Sequence, residues 1–223
     1  MPGVFMFTIH PNAMQLLVPL YNSPQRYYHD MNHINFGLSK FAECRNSVTL
    51  SPKQEEAIVY SWWFHDAIYS PYPYYEHSSN ELESAKLFNN WLYGTSDVSS
   101  DKKFVLHHYS AEIEHNIRAT EKHLTYITEF RYDTTPILLD MDMAGFGRKF
   151  GQVYLDSDKI FEEYAELGLY KDVMIQNRIT FLTSILKKPT IYYTEYFHNK
   201  YENIARNNIE GVIEASLQEL AGV

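Results

Sequence analysis

The chain has 223 residues, 45% of them hydrophobic and 21% charged, the balance of a globular protein long enough to bury about 70% of its unfolded surface in one domain. Its net charge of −9 disfavours a duplex nucleic acid or an anionic membrane surface as partner, since either demands a basic face; a small phosphorylated substrate held by a metal stays compatible. Cys44 is the single cysteine, so no intrachain disulfide forms, which fits a reducing, cytoplasmic setting.

Met1 to Leu20 is apolar but lacks Lys and Arg, and Pro11, Asn12 and Pro19 interrupt it. It reads as neither a signal peptide nor a membrane span. From Ser23-Pro24 to about Cys44, the residues Tyr27, Met31, Ile34, Leu38 and Phe41 recur at near-helical spacing. Ser51-Pro52 is an N-cap followed by a first-turn proline. The helix it starts carries Ala57, Ile58, Trp62 and, mid-helix, His65-Asp66, until Ser70-Pro71-Tyr72-Pro73 breaks it. Ser78 and Glu81 have capping-box spacing for a helix ending near Gly94.

Residues 101–124 form a His-rich helical stretch. Thr135-Pro136 repeats the cap-and-proline signal before Leu138-Leu139-Asp140-Met141-Asp142-Met143. Helices over about 171–187 and 192–220 follow, separated by Lys188-Pro189. There is no alternating strand pattern, no repeat and no linker. The expected fold is all-α, a single-domain helical bundle over 1–223.

His65-Asp66 carries the chemistry. Apolar residues flank an imidazole and a carboxylate in Tyr60-Ser61-Trp62-Trp63-Phe64-His65-Asp66-Ala67-Ile68-Tyr69. Burying both groups costs several kcal/mol unless a partner satisfies them, and a divalent metal satisfies both at once. His29 and His33, four residues apart, would share one helical face. Asp140 and Asp142 sit in an apolar run, with Asp140 read as an exposed helix carboxylate. A His, a His-Asp pair and an Asp on separate helices form a nitrogen and oxygen donor set. Such a set suits Zn, Mn, Fe, Co or Ni better than Ca.

These blocks resemble the HD-domain superfamily, in particular a subgroup of predicted metal-dependent phosphohydrolases. The resemblance spans about 24–210. It rests on Arg26-Tyr27-Tyr28-His29 with His33-Ile34, on Trp63-Phe64-His65-Asp66-Ala67-Ile68-Tyr69, and on Asn80-Glu81 with Ser84-Ala85. Thr120 and His123, Asp140-Met141-Asp142-Met143-Ala144 with Gly147, Arg178, Ile191-Tyr192 and Ala205-Arg206-Asn207 extend it. It implies an HD-type bundle with one divalent metal ion (Mn, Co, Ni, Zn, Fe or Mg) on His33, His65, Asp66 and Asp142. The family pattern has a basic residue where this chain has Phe161, before Glu163-Tyr164, so one phosphate or helix contact would be missing.

The activity this implies is hydrolysis of a phosphate ester of a small metabolite, a nucleotide or nucleoside monophosphate, by a metal-activated water. Asp66 would also orient the water. Glu81 is a candidate general acid or base, although a capping role with Ser78 would also explain it. His123 is a candidate donor to the leaving oxygen. Arg26, His29, Asn80 and Lys122 are candidate substrate contacts, with a solvated helix face the plainer reading of Lys122. Tyr69, Tyr72, Tyr74 and Tyr75 either stack on a base or pack at the surface, and Arg178 and Arg206 read as structural. Three alternatives stand beside this reading. One is a cyclic or linear nucleotide phosphodiesterase. Another is an iron oxygenase using further ligands among His107, His108, His115 and His123. The third is a non-catalytic, metal-stabilised binding module, for which the aromatic excess is compatible with a homo-oligomer.

Overall fold

Pro11 opens a helix rather than interrupting an irregular stretch. The computed structural model describes residues 7–71, 78–94 and 100–222. In it α1 spans Pro11–Tyr21, and the His10 side chain accepts from the Asn12 N–H. A first-turn proline gives up only an N–H that has no helical acceptor, so the residue that looked like a breaker is a start signal. Eight more helices follow: α2 Met31–Cys44, α3 Pro52–Phe64, α4 Asn80–Gly94, α5 Ser100–Ala119, α6 Thr134–Met143, α7 Phe150–Glu163, α8 Lys171–Leu186 and α9 Glu195–Ala221. No strand occurs among the described residues, so the fold is the expected all-α bundle. Among the same residues no helix is long and apolar enough to cross a membrane.

Several boundaries differ from the sequence reading, each for a local reason. Residues 24–30 are not helical. Asp30 is the N-cap of α2, its carboxylate accepting from the N–H groups of Asn32 and His33, so His29 lies outside the helix that carries His33. Helix α3 ends at Phe64, with His65 as its C-cap, and the His-Asp pair is therefore at a helix end rather than mid-helix. The capping box at α4 is also corrected: Ser79 Oγ accepts from Leu82 N–H at 3.2 Å, while Ser78 donates to Glu83. Helix α6 begins at Thr134 after Asp133, because the Thr135 hydroxyl is spent on Asn116 Oδ1 at 2.7 Å. Tyr72, Tyr74 and Tyr75 lie outside the described residues.

The core that positions the site is aromatic. Trp62 is fully buried, and its indole N–H donates to Ile34 O at 2.9 Å, fixing α3 against α2. The approach is close: a Cβ on Gly37 would fall 2.0 Å from Trp62 Cζ2. The Tyr21 hydroxyl donates to Trp63 O at 2.9 Å and seats α1 on α3. Buried Asn116 joins α5 to α6, donating to Thr134 Oγ1 at 3.0 Å and accepting from Thr135. Each large aromatic so buried stabilises by about 2–3 kcal/mol.

Candidate metal centre

Helix ends, rather than helix middles, build this site. His33 comes from the first turn of α2, His65 and Asp66 from the C-terminal end of α3, and Asp142 from the last turn of α6. Arg26 fixes the α3 end. Its guanidinium donates to the carbonyls of Asp66 at 2.8 Å, Ala67 at 3.0 Å and His29 at 3.0 Å. A helix C-terminus leaves carbonyls unpaired, and a cation is the favourable partner there. Ser84 of α4 holds the next residue, bonding the N–H of Ile68 at 3.0 Å and its carbonyl at 3.2 Å.

Four donor atoms converge, one each from His33, His65, Asp66 and Asp142, all within 4.8 Å of one another. His33 Nε2 is 3.2 Å from His65 Nε2, 3.5 Å from Asp66 Oδ2 and 3.3 Å from Asp142 Oδ1. His65 Nε2 is 2.9 Å from Asp66 Oδ2 and 3.7 Å from Asp142 Oδ1. Ligand bonds of about 2.1 Å hold donor atoms roughly 3.0–3.4 Å apart around one ion, and the distances here, 2.9–3.7 Å, bracket that range. The chemistry fits as well. His65 Nδ1 lies 2.7 Å from Trp62 O, which assigns its proton to Nδ1 in the neutral ring and leaves the Nε2 lone pair facing the other three donors. Lone pairs and carboxylates that converge in a buried place require a positive charge between them. The four residues can hold a divalent metal ion.

The electrostatics follow. Burial disfavours a charged His65, but the Asp66 and Asp142 carboxylates outweigh it and raise its pKa well above the usual imidazole value. Burial works equally against the Asp142 carboxylate, and the hydrogen bonds from His123, His33 and His65 hold it well below the usual range. Asp66 is lowered in the same way, with His65 and His29 overcoming burial.

A second ring of side chains aims the first. His123 Nε2 lies 2.8 Å from Asp142 Oδ2, which leaves Oδ1 for the cluster. His29 Nδ1 lies 2.6 Å from Glu163 Oε2, and its Nε2 is 4.0 Å from Asp66 Oδ2. The other Glu163 oxygen accepts the backbone N–H groups of Tyr27, Tyr28 and His29 at 2.8–2.9 Å. Tyr69 stacks on His29, ring centroids 4.0 Å apart.

The remaining candidates take other places. Asn80 clamps Ser70, accepting from its N–H and donating to its carbonyl, both at 3.1 Å. Glu81 is in the first turn of α4, where burial and the charges of Asp66 and Glu121 raise its pKa. Lys122 is exposed on a short 3-10 turn. Asp140 is not exposed. It is fully buried, and its carboxylate accepts from Tyr193 N–H at 2.8 Å, Thr194 N–H at 2.7 Å and Thr194 Oγ1 at 2.6 Å. It thereby anchors the two residues that lead into α9. Arg206 closes the C-terminus of α8 through the carbonyls of Leu186 and Lys188. His107, His108 and His115 are not part of the cluster.

Glu163 and the whole of α7 were missed from the sequence. The signal was present: Phe150, Val153, Tyr154, Ser157, Ile160, Phe161 and Tyr164 recur at helical spacing. The chain matches no family model, no curated protein and no solved structure. Its functional reading therefore stands on this geometry and on the residues themselves.

Proposed function

We propose that the protein is a metal-dependent phosphohydrolase of the HD type, acting on the phosphate monoester of a small metabolite of nucleoside monophosphate size. One observation carries the reading: two imidazoles and two carboxylates meet in a buried cluster at the wall of a cavity of about 420 Å³ that Asp142 and His29 both line. Nitrogen and oxygen donors without a thiolate, beside a substrate-sized space, suit hydrolysis better than a purely structural site, which is typically rich in cysteine.

A divalent ion held there supplies a water of lowered pKa and polarises a phosphoryl oxygen. The chain's own residues do the rest. Asp66 orients the attacking water and accepts its proton at a carboxylate oxygen. His29 has its Nδ1 fixed by Glu163 and presents Nε2 toward the cluster, from where it contacts the phosphate. His123, with Nε2 spent on Asp142, orients that carboxylate, and the leaving ester oxygen takes up, through solvent, the proton that Asp66 accepted from the attacking water, so that the products are the free alcohol and phosphate. Arg26 acts on backbone carbonyls and shapes the site without touching substrate.

Phosphate release from a panel of nucleoside monophosphates and aryl phosphates tests the proposal. The full chain is loaded in turn with Mn, Co, Ni, Mg and Zn, and ion content is verified for each sample. Turnover that disappears on Asp66→Ala while the fold survives supports the reading. Absence of release from every ion-loaded sample overturns it.

A further inference from the structure

The cavity beside the cluster has walls that the hydrolytic chemistry leaves unused. Its lining surface is mostly apolar, with Val153, Ile160 and Phe161 from α7 and Met174, Phe181 and Leu182 from α8. Val153 and Leu182 are buried, whereas Phe181 is 42% exposed, so the apolar surface runs from the interior to a rim open to solvent. Asp142 and His29 line the same space. Whatever fills it therefore sits beside the cluster.

The polar side chains along these walls are mostly engaged with protein partners. Arg178 is the only lysine or arginine among the described lining residues, and its guanidinium is matched by Asp158 at 2.9 Å and Glu219 at 3.2 Å. Asp156 accepts from Arg148 and from Gln152, both at 2.8 Å. Ser157 Oγ accepts from Arg178 at 3.3 Å, and the Tyr69 and Tyr164 hydroxyls meet at 3.4 Å. Tyr28 belongs to the cluster end, its ring 4.8 Å from that of His29, and Asn177 is exposed. A hydroxyl-rich group brought here from water would lose hydrogen bonds that these walls do not return. A charged group would find no free counter-ion.

We propose that this cavity takes the organic part of the substrate, and that this part is the apolar, uncharged body of an aryl or alkyl alcohol whose phosphate lies at the cluster. The assignment rests on the phosphohydrolase reading and names its substrate class. At about 30 Å³ per non-hydrogen atom, a space of about 420 Å³ holds on the order of ten to fifteen such atoms. Affinity and selectivity both come from apolar area removed from water. Sugar phosphates and nucleoside monophosphates are disfavoured by the hydroxyls and ring nitrogens they would strip of water, and polyphosphates by charge as well.

Direct binding tests this without metal or ester. The full chain in chelator is titrated with fluorescent 2-naphthol, and unbranched alcohols from 1-butanol to 1-octanol then compete with it. Naphthol should bind saturably, and each added methylene should tighten the competitor by about fourfold. Adenosine and ribose should compete at least about tenfold more weakly than 1-octanol. Ile160→Glu and Phe181→Glu put a charge into the wall, and each should weaken naphthol by about tenfold or more. Phe181 is already partly in solvent, so its variant keeps the test decisive should the other fold poorly. Leu155→Glu places the same charge on an exposed position of α7 outside the cavity lining and should leave the affinity unchanged. A native chain that binds no naphthol, competition indifferent to chain length, adenosine equal to 1-octanol, or wall variants that behave like Leu155→Glu would each overturn the assignment. Alcohols that bind as expected beside esters that never turn over would sink only the hydrolase reading. Esters that turn over beside alcohols that never bind would sink only this one.

Discussion

Asp140 and Asp142 stand two residues apart on α6, and their carboxylates leave opposite sides of that helix. Asp140 accepts from Tyr193 and Thr194 at the start of α9, whereas Asp142 faces His33, His65 and His123. Two helical steps rotate a side chain by about 200°, which is why neighbours in sequence divide so cleanly. Asp142→Asn should lose ion binding by about a hundredfold or more while the chain stays folded in chelator. Asp140→Asn should keep the ion and lose about 1–3 kcal/mol of stability, since an amide N–H₂ would face a donor. Ion content and denaturant melts on the two variants check both halves.

Metal affinity should fall as pH falls. In the ion-free chain burial opposes a charged His65, but Asp66 and Asp142 prevail and raise its pKa well above normal, so an incoming ion must displace a proton. Below that raised pKa each pH unit should cost about tenfold in affinity for one proton displaced. Calorimetric titration in two buffers of different ionisation enthalpy should report release of about one proton. Affinity independent of pH between about 6 and 8, with no proton released, would contradict the assignment of His65 as a ligand.

Gly37 should control the site from outside it. A Cβ there would lie 2.0 Å from Trp62, and Trp62 stacks on His65 at 4.2 Å between centroids and 21° between planes. Alanine in a helix gains about 1 kcal/mol over glycine, but overpacking of this severity costs about 1–3 kcal/mol or more, and the steric cost wins. Gly37→Ala should therefore lower both the melting temperature and ion affinity with all four ligands intact. Adding Trp62→Phe to that variant should recover part of the stability, read in the same melts.

Glu163→Gln should produce a pH-dependent loss of stability. Burial resists the Glu163 charge, but His29 and the backbone N–H groups outweigh it and lower its pKa, so its contribution is complete above the unfolded carboxyl value and is lost as pH falls through the folded one. The His29 pKa is raised, Asp66 and Glu163 prevailing over burial, so that half of the pair contributes below the unfolded imidazole value and is lost as pH rises through the folded one. The gap between native and variant should peak between these limits at about 1.5–3 kcal/mol and shrink on either side. Urea melts across the acid and neutral range measure it.

Much of this was legible in the sequence. Helical spacing, cap residues and prolines located α3, α4, α6, α8 and α9, and buried-type residues around His65-Asp66 pointed to the cluster. What escaped depended on long-range partners. The N-terminal side of α2 was overextended because apolar spacing at Tyr27 imitates a helix, and only Glu163, 134 residues from His29, shows why the backbone there is bent around a carboxylate instead. Asp140 looked exposed because nothing local reveals that α9 begins against it.

The segment from Arg26 to His29 is tied at both ends: Arg26 grips the carbonyl of Asp66, and Glu163 on α7 grips the next three N–H groups. A tilt of α7 upon filling the cavity would pull directly on the turn that carries Asp66. Occupancy of one place and retention of cargo in the other thus become linked equilibria, and linkage runs both ways. A metal-loaded protein whose cavity is occupied should surrender its ion to a chelator more slowly than one whose cavity is empty.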